Sequence, residues 1–342
     1  MPGTRKRKLS SLGEFGWLQK LLPRLYWPGS LDSQLCIGPG DDAGVIRTSA
    51  GRVLVATTDA MVEGVHFERR WFSWELLGEK VLAVNLSDLA AMGDVKPVAA
   101  LITAAFPGDT PVESVDKFYK GLESCAQRWK IGLLGGDTVG SKKGWFLSVT
   151  VLGEARSQDL IRRNGAKPGD FIATTGPLGL AAAGLEVLQS GKPQGAWTRP
   201  LVQAFCQPQP RFAAGSILGR RRLATSLMDS SDGLEASIRI LASASRVGAE
   251  VHLWDLPLSP ALTRWASLKK KAAWNYALRG GEDYELIFTV RPKDWERVKR
   301  LIPNAVRIGR IMPEDYGCRA KAQDQAFFLK GYGFSHFSSG KN

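Results

Sequence analysis

Apolar and polar positions alternate along this chain with two different periods, and the change of period marks its elements. From Trp74 to Met92 the residues Leu77, Val81, Val84, Leu86, Leu89 and Met92 recur near helical spacing and are followed by Gly93 and Pro97, so the spacing predicts a helix. Between Trp145 and Gly153, Phe146, Ser148, Thr150 and Leu152 alternate with Leu147, Val149 and Val151, which is the period of a strand. Arg52 to Thr58 reads as a β-rich run leading into Asp59, Val98 to Phe106 as a buried strand, and Pro111 to Trp129 as a second helix. Glu14 to Leu25 has the spacing of a short amphipathic helix that Pro28-Gly29 ends.

A composition shift follows. Arg162 to Asp170 is polar and turn-rich, and the domain boundary falls just before it. The expected organisation is a disordered basic tail (1–12), an N-terminal domain (13–154) and a C-terminal domain (155–342). The second domain should contain a strand (Phe171 to Thr175), a helix (Leu178 to Gln189), a helix after Gly233, a strand around Val251 and another from Tyr284 to Val290. Strands and helices alternate without a regular βαβ rhythm and without repeats, so the fold class is mixed α/β, or α+β.

The formal net charge of +13 raises the question of nucleic acid. Its basic clusters, Arg5 to Lys8, Arg220 to Arg222 and Lys269 to Lys271, are far apart and come with no helix-turn-helix, zinc-finger or aromatic RNA-binding word. Solvated surface charge is the simpler reading. A non-catalytic nucleic-acid binder stays as a rival that salt-sensitive binding, indifferent to ATP and Mg²⁺, would reveal. The four cysteines are dispersed and form no metal or disulfide framework. No apolar run approaches a membrane span and no apolar stretch follows the basic N-terminus, so a cytoplasmic protein is expected.

Against this basic background the most ordered-looking words are acidic. They are Gly40-Asp41-Asp42, Thr57-Thr58-Asp59, Asn85-Leu86-Ser87-Asp88, Gly135-Gly136-Asp137-Thr138, Asp229-Ser230-Ser231-Asp232-Gly233 and Gly280-Gly281-Glu282-Asp283-Tyr284. Carboxylates gathered on apolar scaffolding repel one another unless cations sit among them, which points to magnesium and a polyphosphate. Taken singly, each word has a plain alternative. Gly-Asp-Asp suits a surface turn. Ser231 or Asp232 suits a helix N-cap, and Asp88 suits an exposed helix edge. His66 suits an ordinary loop. The apolar runs before Asp59 and Asp137 put both carboxylates at expected strand ends. No P-loop, dinucleotide fingerprint, protein-kinase word or nucleophile elbow is present, so phosphate would be handled mainly through metal.

As an ordered set, running from Gly13-Glu14-Phe15 to Gly331-Tyr332, the words resemble the thiamine-monophosphate kinase family of the aminoimidazole ribonucleotide synthetase-like superfamily. The most specific are Val62 to Phe67, Ala83 to Gly93 and Gly280 to Leu286. The resemblance implies magnesium ligands at Asp42, Thr57, Thr58, Asp59, Asp88, Asp137, Asp229 and Asp232. It implies ATP contacts at Gly136, Asp137, Arg163 and Ser231, and substrate contacts at His66, Glu282 and Tyr332, with Phe334 the alternative to Tyr332. It further implies ATP as phosphoryl donor, thiamine monophosphate as acceptor, direct transfer without a general base, and a homodimer whose N-terminal sheets join into a barrel. The C-terminal domain would be an α/β sandwich. Val139-Gly140 departs from the family's usual Thr-Arg at that point. Other enzymes of the superfamily, selenophosphate synthetase-like or purine cyclo-ligase-like, are the alternatives.

Overall fold

The computed structural model describes residues 9–11, 13–191, 195–323 and 325–331. Two sheets carry the strands. The first contains β1 (Leu35–Ile37), β2 (Gly44–Ser49), β3 (Arg52–Val62), β4 (Lys96–Pro107), β5 (Gly132–Ser141) and β6 (Phe146–Arg156), in the order β1-β2-β3-β6-β4-β5. Only β4 and β5 pair parallel, as the intervening helix requires. The second contains β7 (Phe171–Thr174), β8 (Ala224–Asp229), β9 (Gly248–His252), β10 (Leu286–Val290), β11 (Val306–Met312), β12 (Cys318–Ala322) and β13 (Gln325–Phe328). Its order is β13-β12-β9-β11-β7-β10-β8.

The helices are α1 (Gly13–Leu21), α2 (Trp74–Ala91), α3 (Val112–Trp129), α4 (Leu180–Gln189), α5 (Arg199–Cys206), α6 (Phe212–Arg220), α7 (Leu234–Ser245), α8 (Pro260–Leu268), α9 (Ala273–Arg279) and α10 (Trp295–Leu301). The second sheet is covered on both faces. Ile172, Ile287 and Ile308 pack with Leu234 and Ile238 of α7, while Ala173, Leu227 and Phe288 pack with Leu218 of α6 and Val298 of α10. That is why β10 is buried along its whole length and reads as an unbroken apolar run. The fold is mixed α/β, as expected.

Among the described residues, the first sheet is covered on one face only. Val53, Val55, Leu147, Val149 and Val151 point at α2 and are buried, whereas Leu101, Phe146 and Val139 on β4, β6 and β5 are exposed. The reading of Val98 to Phe106 as a wholly buried strand is therefore corrected: Val98 and Leu101 are about as exposed as many surface residues, at 40% and 41%. Apolar residues on both faces made the strand look internal, but only one face has a helix against it.

Helix α2 is the centre of the molecule. It touches β3 and β6 of the first sheet, β8 of the second, and helices α3, α5 and α6. Most of its residues are buried, the polar Lys80, Asn85 and Ser87 among them. Ser73 caps its first turn by accepting from the Leu76 amide at 3.2 Å. The closeness of α2 to α3 rests on two glycines. A Cβ on Gly78 would lie 2.0 Å from the Phe118 carbonyl oxygen, and one on Gly121 would lie 1.9 Å from that of Glu75.

Candidate active site

Because α2 is enclosed, each polar side chain on its inner faces must be met by a partner. Asn85 donates to the Val81 carbonyl at 2.9 Å and accepts from the Asp59 amide at 2.8 Å. Ser87 donates to Asp229 Oδ2 at 2.6 Å, and Thr57 donates to Asp88 Oδ2 at 2.7 Å. Lys80 meets Glu282 and the Phe205 carbonyl, both at 2.7 Å. The helix thus faces β3 of one sheet and the end of β8 of the other with polar groups at successive turns.

Three carboxylates converge here. Asp42 comes from the turn before β2, Asp88 from α2 and Asp229 from the end of β8, and their oxygens lie within 4.8 Å of one another. Asp42 and Asp229 are buried. Arg163 balances part of the charge, reaching Asp42 Oδ1 at 2.8 Å and Oδ2 at 3.2 Å in a two-pronged contact. Burial disfavours the charge on this guanidinium, but Asp42 beside it more than compensates and holds it protonated. The remaining carboxylates are not fully compensated. Burial first, and Asp42 second, push Asp229 up to about 8. Burial, followed by Asp59, Asp229 and Asp42, pushes Asp88 well above the carboxylate range. Asp41 is raised for the same reasons, burial leading.

Clustered acids held at such a cost form a candidate cation site. The donor set tests this. It offers hard oxygens only, the ligand type Mg²⁺ takes, and the Ser230 hydroxyl next to Asp229 is buried with no hydrogen-bond partner among the described residues. The residues fit a divalent cation.

The expected site residues fall into three groups. Asp42, Thr57, Asp59, Asp88, Asp229 and Arg163 gather around the cluster, with Ser231 and Asp232 on the loop directly after Asp229. His66 and Glu282 lie on the loops after β3 and before β10. His66 Nδ1 accepts from the Val62 amide at 3.0 Å, so that nitrogen carries no proton and Nε2 is the one that can donate. Tyr332 and Phe334 lie outside the described residues.

Thr58, Gly136 and Asp137 form the third group, away from the cluster. β3 does not end at Asp59 but runs on to Val62, so its pleat sends Thr57 and Thr58 to opposite faces. The Thr58 hydroxyl donates to the Val149 carbonyl at 3.1 Å and accepts from Thr150 at 3.1 Å, on the face turned away from α2. Asp137 likewise sits in mid-strand. Glycines allow this: a Cβ on Gly136 would lie 1.7 Å from the Ile102 carbonyl oxygen. Along the register Asp59 pairs Val149, Val149 pairs Ile102, and Ile102 pairs Gly136. Three strand spacings separate Asp59 from Gly136, roughly 14 Å. Within one chain Asp137 does not join the other carboxylates.

Sequence reasoning missed Lys80 and Arg211. Arg211 binds Glu285, whose other partner is Thr175 at 2.5 Å, and so braces the turn that carries Glu282. The signal for the first is a lysine just before the apolar run Val81 to Val84 of a helix.

This arrangement of two sheets around a carboxylate-bearing central helix has known counterparts. Residues 40–155 match the family of AIR synthase related proteins, N-terminal domain. The fold is shared with the hydrogenase maturation protein HypE of E. coli, at a TM-score of 0.66 and 18% identity over 83% of this chain and 84% of that one. The chain therefore has the fold of AIR synthase related proteins. More narrowly, it belongs to the thiamine-monophosphate kinase family. It is 33% identical over 334 residues to the thiamine-monophosphate kinase of Bacillus subtilis (strain 168), covering 95% of this chain and 100% of the relative. It also superposes on a solved complex of AaThiL with AMPPCP and TMP at a TM-score of 0.85, with 31% identity over 97% of this chain and 100% of that one.

Proposed function

We propose that this protein transfers the γ-phosphoryl group of ATP to the phosphate of thiamine monophosphate, forming thiamine diphosphate, with Mg²⁺ held by the carboxylate cluster. The observation that carries this reading is the convergence of Asp42, Asp88 and Asp229 to within 4.8 Å from three separate elements, in a chain of the thiamine-monophosphate kinase family.

Asp42, Asp88 and Asp229 would hold the metal, joined by Thr57, Asp59 and Asp232; Thr58 could contribute only through its backbone. Bound there, Mg²⁺ would offset the negative charge of the polyphosphate and of the developing transition state. The chain's own residues supply position. Arg163, fixed by Asp42, sets a cation beside the phosphates, and the half-buried Ser231 offers a hydroxyl to ATP. His66 offers Nε2–H to an anionic oxygen, and Glu282 offers a carboxylate to the cationic thiamine. A phosphate monoester has its second pKa near 6, so the acceptor oxygen is mostly ionised at neutral pH and needs no base. Placing it in line with the donor is the task that remains.

Homodimerisation is part of the proposal. β5 is an edge strand, paired only with β4 among the described residues and exposed along nearly its whole length, and Leu101, Leu133, Leu134, Val139 and Phe146 are exposed on the β6-β4-β5 side of the sheet. A second copy covering this surface would protect the edge. It would also give Gly136 and Asp137, remote from the cluster of their own chain, a site to complete in the dimer. No helix among the described residues is long and apolar enough to cross a membrane; use of ATP suits a cytoplasmic reaction.

The test is direct. Purified protein given ATP, Mg²⁺ and thiamine monophosphate should yield thiamine diphosphate, and free thiamine should fail as acceptor. Asp88→Asn should lower kcat by about 100-fold or more while the circular dichroism spectrum is unchanged. Absence of product from folded protein overturns the reaction, and near-normal kcat in the variant moves the metal away from α2.

A further inference from the structure

We propose that Lys80 is a positioning residue for the thiamine substrate: it fixes the carboxylate of Glu282 in the site without itself touching a ligand. The inference rests on the reading of Glu282 as a substrate contact.

Lys80 is the least expected side chain on α2. It is completely buried, at 0% exposure, on a helix most of whose residues are buried, and lysine is almost never fully buried unless paired. Its ammonium has three protons to place. One goes to the carbonyl of Phe205 and one to Glu282 Oε2, each at 2.7 Å. The ammonium also lies 3.6 Å from the centroid of the Phe205 ring and 5.4 Å from that of Phe72, so ring faces cover the rest of it. A cation enclosed in this way has nothing left to offer a phosphate.

Glu282 is placed in the opposite manner. Its side chain is 24% exposed, and Oε1 has no hydrogen-bond partner among the described residues. Its backbone is held in the left-handed region at φ 66°, an unusual conformation for a residue other than glycine. The turn is kept there by the Glu282 amide donating to Ser231 O at 2.6 Å and the Tyr284 amide donating to Ser230 O at 3.0 Å. The backbones are close here: a Cβ on the neighbouring Gly281 would lie 2.4 Å from the same Ser231 oxygen. Strain of this kind is kept where a side chain must be aimed. One carboxylate oxygen is spent on Lys80 and the other is free, which suits the amino group of an aminopyrimidine or the positive thiazolium. Lys80 from α2, Phe205 from α5 and the turn before β10 therefore meet at one cation, which ties the substrate carboxylate to the same helix that carries Asp88.

Steady-state kinetics on the wild type, Lys80→Met, Glu282→Gln and the double variant, each with a thermal melt, test this. Lys80→Met should raise KM for thiamine monophosphate by on the order of 10- to 100-fold, leaving kcat and KM for ATP within about threefold. In the Glu282→Gln background it should add nothing, because both changes remove one interaction. An unchanged KM for thiamine monophosphate, additive effects, or a loss confined to kcat would overturn the role. If Lys80→Met does not fold, Phe205→Leu keeps the lysine and the backbone carbonyl but removes the ring face. It should raise the same KM in the same direction by a smaller factor, and an unchanged KM there overturns the proposal. Failure of the wild type to turn over thiamine monophosphate would instead overturn the reading of the reaction.

Discussion

A carboxylate that leaves water must find a partner, and this protein shows three solutions side by side. Asp42 takes a guanidinium, Arg163. Asp88 and Asp229 take hydroxyls and otherwise face like charge, which raises the proton affinity of both. Asp283 takes backbone amides: it accepts from Gly179 at 2.5 Å and Ala181 at 3.2 Å, capping α4 from a distant turn. That cap is incomplete compensation, because burial pushes Asp283 up to about 7. A carboxyl raised in the folded state above its ordinary value of 3.8 binds its proton more tightly when folded. Its contribution to stability is full below that value and is lost as pH rises through about 7. Asp283→Asn removes this dependence. Its stability relative to wild type should therefore improve between pH 4 and 7, by at most about 1.4 kcal/mol per pH unit. Urea denaturation of both proteins across that range measures the difference, and a gap independent of pH would contradict the assignment.

At the scale of elements, α2 and its neighbours decide what the acidic words can do. The helix was legible in its spacing, and Asp88 was legible as a carboxylate on it. That the helix is enclosed on every side was not, since a helical period shows one apolar stripe and says nothing about what covers the other. The same limit applied to β3 and β5. Thr57-Thr58-Asp59 and Gly136-Asp137 look like the ends of strands because glycine and aspartate are depleted within them. Here pairing with β6, which continues to Val62 after β2 has stopped at Ala56, carries β3 through, and β4 carries β5. The crossing of α2 with α3 depends on glycine at the contact, and this gives a prediction about the element. Gly78→Ala should destabilise the protein by about 1–3 kcal/mol or more, because the new methyl meets the backbone of α3 and not a side chain that could move aside. Chemical denaturation would show it as a lower midpoint, and a loss below about 0.5 kcal/mol would mean that the helices separate easily.

At the scale of the molecule, the basic charge that stands out in the composition is dispersed. Lys271 pairs with Glu186 at 3.0 Å, Lys269 lies 4.6 Å from the Trp265 ring centroid, and Arg220 pairs with Asp94 at 3.5 Å. The runs at Lys269 and Arg220 are engaged in local contacts, not assembled into one groove. The feature that does call for a partner is apolar: the uncovered face and free edge of the first sheet. We expect a dimer in sedimentation velocity, and Leu134→Glu combined with Val139→Glu should yield a monomer. If the site is shared between copies, that monomer should also lose activity by about tenfold or more while its melting temperature stays close to that of wild type. A variant that remains dimeric and fully active would place the interface elsewhere.

The sequence by itself determined the fold class, most of the long elements, and the chemistry of the site, because periodicity and residue type are properties of short stretches of chain. It also placed the family, through the order of words such as Val62 to Phe67 and Gly280 to Leu286. Only the tertiary structure decided which acids share a site. Asp42, Asp88 and Asp229 are brought within 4.8 Å by a turn, a helix and a strand end that are far apart in the chain, whereas Asp137, in an equally suggestive word, lies three strands away. The reason is physical: a carboxylate's role depends on burial and on its neighbours' charges, and both are set by packing between elements. Lys80 shows this most plainly, since nothing beside it in the chain announces the glutamate that it holds.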